Sequence, residues 1–353
     1  MATPVCFTSM ASVEQPPRRL LLTGGSSGIG FEACRLLLAA GHQLCLPCRD
    51  AATATALRER LSAAAPNERL AAVATPIVDL ADLDSVERCG AALHEAGEPI
   101  DTLVLNAGLQ YSGTPEARWS AQGYELTIAV NHLAHQALLQ WLLPLLLRGQ
   151  APRLVITSSE VHDPETPGGR VGQPADLGTL EGLRQGPGAV MLDGRTPFNA
   201  EKAYKDSKLC NLLMAREAER RLRQRGTPLP VLAWSPGLVI PRGPGGFFRD
   251  SRRQDPLGQA LFALLARDLL RVCESPERAG ALLAGLSVDP LPADTGFRYS
   301  SNRVLGPGRL CFEERQPSAA ARDDQLAERL WCMTEARLGE VGTRPAPHDF
   351  ARL

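Results

Sequence analysis

Tyr204 and Lys208 stand four residues apart in "NAEKAYKDSKLCNLL", residues 199–213, so on a helix their side chains share one face. A phenol titrates near ~10 and is a poor acid–base group at neutral pH. An ammonium beside it favours the phenolate and is expected to lower that pKa. The pair can then move a proton, and the same ammonium can bridge to the hydroxyls of a nucleotide ribose. On most helices such a pair is a solvated surface contact. Here the chain holds only three lysines, Lys202, Lys205 and Lys208, and its other basic side chains from Arg18 to Arg352 are arginine. A compact ammonium fits between phenol and ribose where a broad guanidinium does not, so Lys208 is read as kept for chemistry. Lys202 and Lys205 have no role legible from their positions; they are expected to ring the site's entrance or to be solvated.

A second group lies near the start. "TGGSSGIG", residues 23–30, contains Thr23, Gly24, Ser26, Ser27, Gly28, Ile29 and Gly30, with glycines in TGxxxGxG spacing. Three glycines alone mark many turns. These fall between an apolar strand and a helix, where glycine lets the backbone approach a pyrophosphate and the helix N-terminus stabilises it. The second strand ends at Arg49, whose guanidinium suits a ribose 2′-phosphate better than a 2′-hydroxyl, so NADPH is expected over NADH. Asp79 and Leu80 end the third strand, where they can hold an adenine edge. Asn106, Ala107 and Gly108 end the fourth and bring backbone close to the cofactor.

The elements that position these groups alternate strictly. Apolar strands are expected at 18–24, 42–50, 70–80, 100–108, 153–159 and 229–237, with helices at 28–40, 51–65, 84–97, 123–147 and 202–225. Gly41 closes the first helix. Near-continuous apolar strands joined by helices predict an α/β fold: a doubly wound parallel sheet of Rossmann type, three layers αβα. One catalytic domain is read at 18–340, after a disordered leader at 1–17 and before a tail at 341–353. Two segments break the rhythm. Residues 160–200 are rich in Gly and Pro and too long for a plain connection. Residues 241–272 begin "PRGPGGFFRDSRRQDP" and end in an amphipathic helix at 257–272, read as core packing or a lid over an apolar substrate. Both insertions follow strand carboxyl ends, where such sheets bind ligands.

Bulk properties narrow the function. Over 353 residues the formal net charge is −1, which leaves no strong field for nucleic acid. Nine scattered cysteines argue against a disulfide framework and for a reducing cytosol, so a cytoplasmic location is expected. Cys45-x-x-Cys48 ends a strand-like run without a second pair and reads as core. His132 and His135 lack a third ligand, so no metal is expected. Residues 137–147, "ALLQWLLPLLL", are too short to span a bilayer, which leaves at most peripheral membrane contact. Oligomeric state is open, and assembly of identical copies fits as well as a monomer.

Taken together, TGGSSGIG, NAG, Asn131, Ser159, Tyr204-x-x-x-Lys208 and Pro236-Gly237 resemble the short-chain dehydrogenase/reductase superfamily over about residues 18–240. The resemblance implies Tyr204 as proton donor, Lys208 as its partner and ribose ligand, and Ser159 as the group orienting the reacting atoms. It also implies Asn131 as support for a proton-relay water. Ser159 and Tyr204 are 45 residues apart, an unusually wide gap. That insert, with "KAYKDSKLCN", "LPCRD" and the tail "DDQLAERLWCMTEARLGEV", resembles the light-dependent protochlorophyllide reductases. The narrower resemblance implies hydride delivery from NADPH to the C17=C18 bond of a hydrophobic pigment, protonation by Tyr204, and a place in chlorophyll biosynthesis and photosynthesis.

Val161, Cys210, Ser235, Leu238, Phe247 and Phe248 are the residues expected to meet such a substrate. Ser235 and Leu238 flank Pro-Gly where that family usually has Tyr and Cys, and Val161 stands where it usually has Thr, so the pocket is expected to be altered. These departures keep a second reading open: a light-independent carbonyl or retinol-type reductase with another hydrophobic substrate. A nucleotide sensor with a dead site is the third; the retained Asn131, Ser159, Tyr204 and Lys208 argue against it.

Overall fold

The computed structural model describes residues 16–64, 67–240, 249–292 and 294–342. Phe247 and Phe248, residues 241–248 of the expected lid, and most of the leader and tail lie outside them. The first unit runs from β1 (Arg19–Leu22) through α1 (Gly28–Ala39), β2 (Gln43–Cys45), α2 (Ala51–Ser62) and β3 (Val73–Ala74) to α3 (Leu83–Ala96). The second runs from β4 (Thr102–Leu105) through α4 (Leu126–Ile128), α5 (Ala134–Leu146), β5 (Arg153–Thr157), α6 (Pro167–Arg170), α7 (Glu181–Gln185) and α8 (Ala200–Gln224) to β6 (Val231–Ser235). Then follow α9 (Arg249–Gln254), α10 (Pro256–Ala263), α11 (Pro276–Val288), β7 (Phe297–Gly306), β8 (Arg309–Glu314) and α12 (Asp324–Glu340).

The strands form one sheet in the order β3-β2-β1-β4-β5-β6-β7-β8, parallel except for β8. Period-two alternation sends side chains to two cores. Leu21, Leu103, Leu105, Leu154 and Ile156 pack with α5, α8 and α12; Leu20, Leu22, Val104, Val155 and Trp234 pack with α1, α2 and α11. This is the doubly wound αβα architecture that the alternation predicts.

Several elements differ from expectation. β3 keeps only two residues of the apolar run at 70–80, because a 3-10 turn at Asn67–Ala72 takes its start and Pro76, which has no N–H to give a ladder, follows. β7 and β8 carry no apolar run. Ser300, Ser301 and Asn302 of β7 are buried, and Asn302 Nδ2 donates to Glu274 Oε2 at 2.8 Å and the Pro236 carbonyl at 3.2 Å. A strand of buried polar residues gives no hydrophobic period. The amphipathic helix at 257–272 exists as α10 and a π-type turn, Leu264–Leu269, but α10 buries no residue and leaves Leu257, Leu261 and Phe262 exposed. Core packing is therefore wrong for it.

The insertion at 160–200 is stapled to α8 by two lysines. Lys205 Nζ donates to the carbonyls of Gly169 (2.9 Å), Val171 (2.5 Å) and Gln173 (2.9 Å). Lys202 Nζ meets Asp206 Oδ2 at 2.7 Å, Asp193 Oδ2 at 3.2 Å and the Asp176 carbonyl at 2.6 Å. Both are buried, so neither is the solvated lysine the sequence allowed. Three converging carbonyls suit the three donors of an ammonium and leave a planar guanidinium misaligned. Lys205→Met is expected to cost about 2–4 kcal/mol and speed amide exchange around residues 169–173. Lys205→Arg should not restore it. Thermal melting and hydrogen exchange check this; a neutral Arg replacement contradicts the staple.

Candidate active site

The glycine turn links β1 to α1. Gly24 and Gly28 have φ of +74° and +53°, conformations that favour glycine, and a Cβ on Gly30 would come 2.2 Å from the Gly24 carbonyl oxygen. Thr23 Oγ1 accepts from the N–H groups of Asn106 (2.9 Å) and Ala107 (3.0 Å), locking the turn to the loop after β4. Asn106 Nδ2 donates back to the Thr23 carbonyl at 3.1 Å. Ser27 begins α1 without a side-chain capping bond, and the first turn holds no acidic residue. By contrast Asp50 caps α2 and Asp82 caps α3. The first-turn amides of α1 are thus met by no capping side chain and no acidic residue of that turn, which fits a pyrophosphate. Ile29 packs against the core shared by α1 and α11, and Ser26 offers its carbonyl to Arg60 Nη1 at 2.6 Å. Arg49 is exposed and pairs with Asp50 at 3.2 Å. Asp79 turns inward on its own loop, accepting from Ala81 N–H at 2.9 Å, beside Leu80. Gly237, at φ +76°, lies under Asn302 next to Pro236.

The acid–base group forms where β5 meets α8. Asn199 caps α8 by accepting from the Lys202 N–H at 2.8 Å, which sets the phase that turns Tyr204 and Lys208 to the sheet. Tyr204 is hydrogen-bonded to the Ser159 hydroxyl. Lys208 Nζ lies 5.6 Å from the centre of the Tyr204 ring and donates to the Thr157 carbonyl at 3.2 Å. Asn131 sits in a π-type turn, Ala129–Leu133, a helix irregularity that recurs at functional sites. Its side chain is engaged on both ends: Oδ1 accepts from Leu109 N–H at 2.9 Å, and Nδ2 donates to the Leu109 carbonyl and to Ser207 Oγ, each at 3.0 Å. A Cβ on Gly108 would lie 3.4 Å from both Asn131 Oδ1 and Lys208 Nζ, so the three predicted groups do converge.

Electrostatics corrects one expectation. The Tyr204 phenol is pushed up, not down: burial outweighs its Ser159 bond and the nearby ammonium of Lys208. A neutral phenol is the form a proton donor needs at neutral pH. Lys208 itself is pushed down to about 8 by burial. Its one bond to protein leaves two ammonium hydrogens without an acceptor among the described residues, where ribose hydroxyls would supply them.

Two of the proposed substrate contacts do not survive. Cys210 has no exposed surface; its thiol packs in the core beneath α8 and burial pushes its pKa well up. Ser235 is fully buried too, and its hydroxyl accepts from Glu160 N–H at 3.0 Å and Gly237 N–H at 3.3 Å. Val161 and Leu238 keep partial exposure. Sequence reading missed Thr157, which organises the site: its hydroxyl donates to Asn106 Oδ1 (3.0 Å) and accepts from Trp234 Nε1 (2.9 Å), while its carbonyl holds Lys208 and Asn211. Its place just before the strand-end serines was the available signal. His132 and His135 are both buried, neutral and pushed down to about 3; His132 meets Thr334 and His135 meets Thr23.

A glycine turn opening a βαβ unit, facing a Ser-Tyr-Lys group across the ends of the strands, defines a nucleotide-dependent oxidoreductase. The family described as short chain dehydrogenase matches residues 18–171. The chain belongs to the short-chain dehydrogenase/reductase superfamily, in the branch that holds the protochlorophyllide reductases. It is 32% identical over 350 residues to protochlorophyllide reductase A, chloroplastic, of Oryza sativa subsp. japonica, covering 97% of this chain and 86% of that protein. It is also 32% identical to protochlorophyllide reductase of Avena sativa, covering 91% of this chain and 99% of that one. An uncharacterized protein from Mycobacterium paratuberculosis shares the fold at a TM-score of 0.62 and 25% identity, over 91% of this chain and 93% of that one. The RhlG/NADP complex of Pseudomonas aeruginosa does so at 0.55 and 23%, over 79% and 93%. The protein is an NADP-dependent short-chain oxidoreductase. No described helix is long and apolar enough to cross a membrane.

The buried ammonium makes a stability prediction. The folded pKa of Lys208, about 8, lies below its ordinary 10.5, so the unfolded chain binds more protons between those values. Stability therefore rises with pH across that window, and below it the full cost, on the order of 3 kcal/mol, is present. Lys208→Met should raise the melting temperature at pH 7 by about 2–5 °C while reductase activity falls at least ~100-fold. The stability gain should fade above pH ~10.5. Melting curves across pH check the sign.

Proposed function

We propose that the protein is an NADPH-dependent reductase that saturates the C17=C18 double bond of a protochlorophyllide-type pigment. The observation that carries this reading is the convergence of Ser159, Tyr204 and Lys208 on the far side of the strand ends from an anion-ready glycine turn, together with the identity to protochlorophyllide reductases along nearly the whole chain. Thr23, Gly24, Ser26, Ser27, Gly28, Ile29 and Gly30 hold the pyrophosphate, Arg49 the 2′-phosphate, and Asp79 and Leu80 the adenine. Asn106, Ala107, Gly108, Pro236 and Gly237 border the nicotinamide end. Bound there, NADPH would supply the hydride for C17. Tyr204 gives its phenolic proton to C18 and is reprotonated from solvent; Ser159 orients its hydroxyl, and the Lys208 ammonium stabilises the transient phenolate. Asn131 acts through its side chain as the clamp between the loop after β4 and α8, with Leu109 on one side and Ser207 on the other. Val161 and Leu238 border the substrate.

A light-independent reductase of another hydrophobic substrate is the second reading. The burial of Ser235 favours it, since that position offers the substrate nothing. Purified protein with NADPH and protochlorophyllide, illuminated, is expected to show the red shift of pigment absorption and fluorescence. No shift with NADPH bound, alongside NADPH oxidation in the dark with a carbonyl or retinal substrate, would select the second reading.

Under either reading Tyr204→Phe should lose at least ~100-fold in turnover. Arg49→Asp should lower the preference for NADPH over NADH by about tenfold or more, measured as the ratio of dissociation constants.

A further inference from the structure

His162 follows Ser159 by three residues, at the end of the 3-10 turn Glu160–His162, and is almost wholly buried. Both ring nitrogens are bonded. Nε2 lies 3.2 Å from the backbone N–H of Ser318, in the segment joining β8 to α12. A backbone N–H can only donate, so Nε2 is the bare acceptor and the ring proton sits on Nδ1. Nδ1 lies 2.6 Å from the carbonyl oxygen of Ser159 and therefore donates to it. Tyr299 packs edge-on against the ring at 5.5 Å between centres. The imidazole is thus a bar between the peptide of Ser159 and a segment more than 150 residues further on.

We propose that His162 is a positioning residue for this site: its Nδ1–H fixes the Ser159 peptide and so holds the Ser159 hydroxyl on the Tyr204 phenol. The Ser159 side chain has no other described partner that would locate it, and its backbone enters the 3-10 turn immediately, so its carbonyl is the available handle. Anchoring that handle to Ser318 ties the acid–base group to the segment that leads from β8 to α12. The two functions of the ring separate by substitution. His162→Asn keeps a donor at the δ position, His162→Gln keeps an acceptor at the ε position, and His162→Phe keeps neither.

The inference rests on the reductase reading for its consequence, and its test does not need a substrate. The chain has four tyrosines, so [13Cζ]tyrosine NMR gives a small spectrum in which Tyr204→Phe assigns the Tyr204 signal. His162→Gln and His162→Phe are expected to shift that signal, and His162→Asn to leave it in place. With six histidines, 15N-histidine labelling of the unmutated protein should report Nδ1–H at His162. An Nε2–H tautomer, or a Tyr204 signal unmoved in both His162→Gln and His162→Phe, overturns the proposal, whatever the substrate proves to be. With any substrate that is reduced, His162→Gln should lose about tenfold or more in kcat at unchanged NADPH affinity, and His162→Asn should recover most of it. Equal kcat losses in Asn and Gln that follow only their melting temperatures also overturn it. Failure of every substrate would count against the reductase reading, while the NMR spectra would still decide the role of His162.

Discussion

The cost of placing one ammonium in a dry site governs this molecule. Lys208 is buried at the carboxyl ends of β5 and β4, and among the described residues it has a single acceptor, the carbonyl of Thr157. A buried cation with unmet donors destabilises a fold. The same helix shows that the fold can do better. Lys202, six residues earlier, has two carboxylates and a carbonyl, and Lys205 has three carbonyls. One helix thus carries three buried lysines: two have three acceptors each, and the third has one among the described residues. That third lysine is the one beside the phenol and the strand ends. Strain left at one place and relieved at its neighbours is the pattern expected where stability has been exchanged for chemistry.

The surrounding structure serves to hold that place dry and in register. Thr157 couples β5 to Asn106, to Trp234 and to α8 through one hydroxyl and one carbonyl. Thr23 couples the glycine turn to the loop after β4 through one hydroxyl. Asn131 uses both ends of its amide to close the remaining side, from a π-type turn that displaces it from helical phase. The insertion between Ser159 and Tyr204 is not slack: it is folded onto α8 by the two satisfied lysines, so the wide sequence gap brings no looseness to the pair. The neutral phenol that results is suited to giving a proton, and the ammonium is placed to stabilise what remains after it has gone.

Much of this is legible in the sequence because it rests on local rules. The alternation of apolar strands and helices, the glycine spacing after β1, and the four-residue interval of Tyr204 and Lys208 each follow from period and sterics. What escapes depends on distant partners. β7 hides among buried serines and Asn302, whose amide nitrogen is held by Glu274 and Pro236 from other parts of the chain. Lys202 and Lys205 look like surface residues until the carbonyls of the insertion close around them. Ser235 and Cys210 occupy positions that adjoin the site in sequence, yet their side chains turn into the sheet and core. The direction of the Tyr204 shift escapes for the same reason: spacing shows that a lysine is near, but not that burial outweighs it.

Lys208 can be watched directly, because a chain with three lysines gives three resonances under [13Cε]lysine labelling. The Lys208 signal is expected to titrate near 8 in the protein alone, and to move upward when NADPH supplies hydroxyl acceptors and negative charge. A Lys208 that titrates at the ordinary lysine value and ignores NADPH would contradict the account.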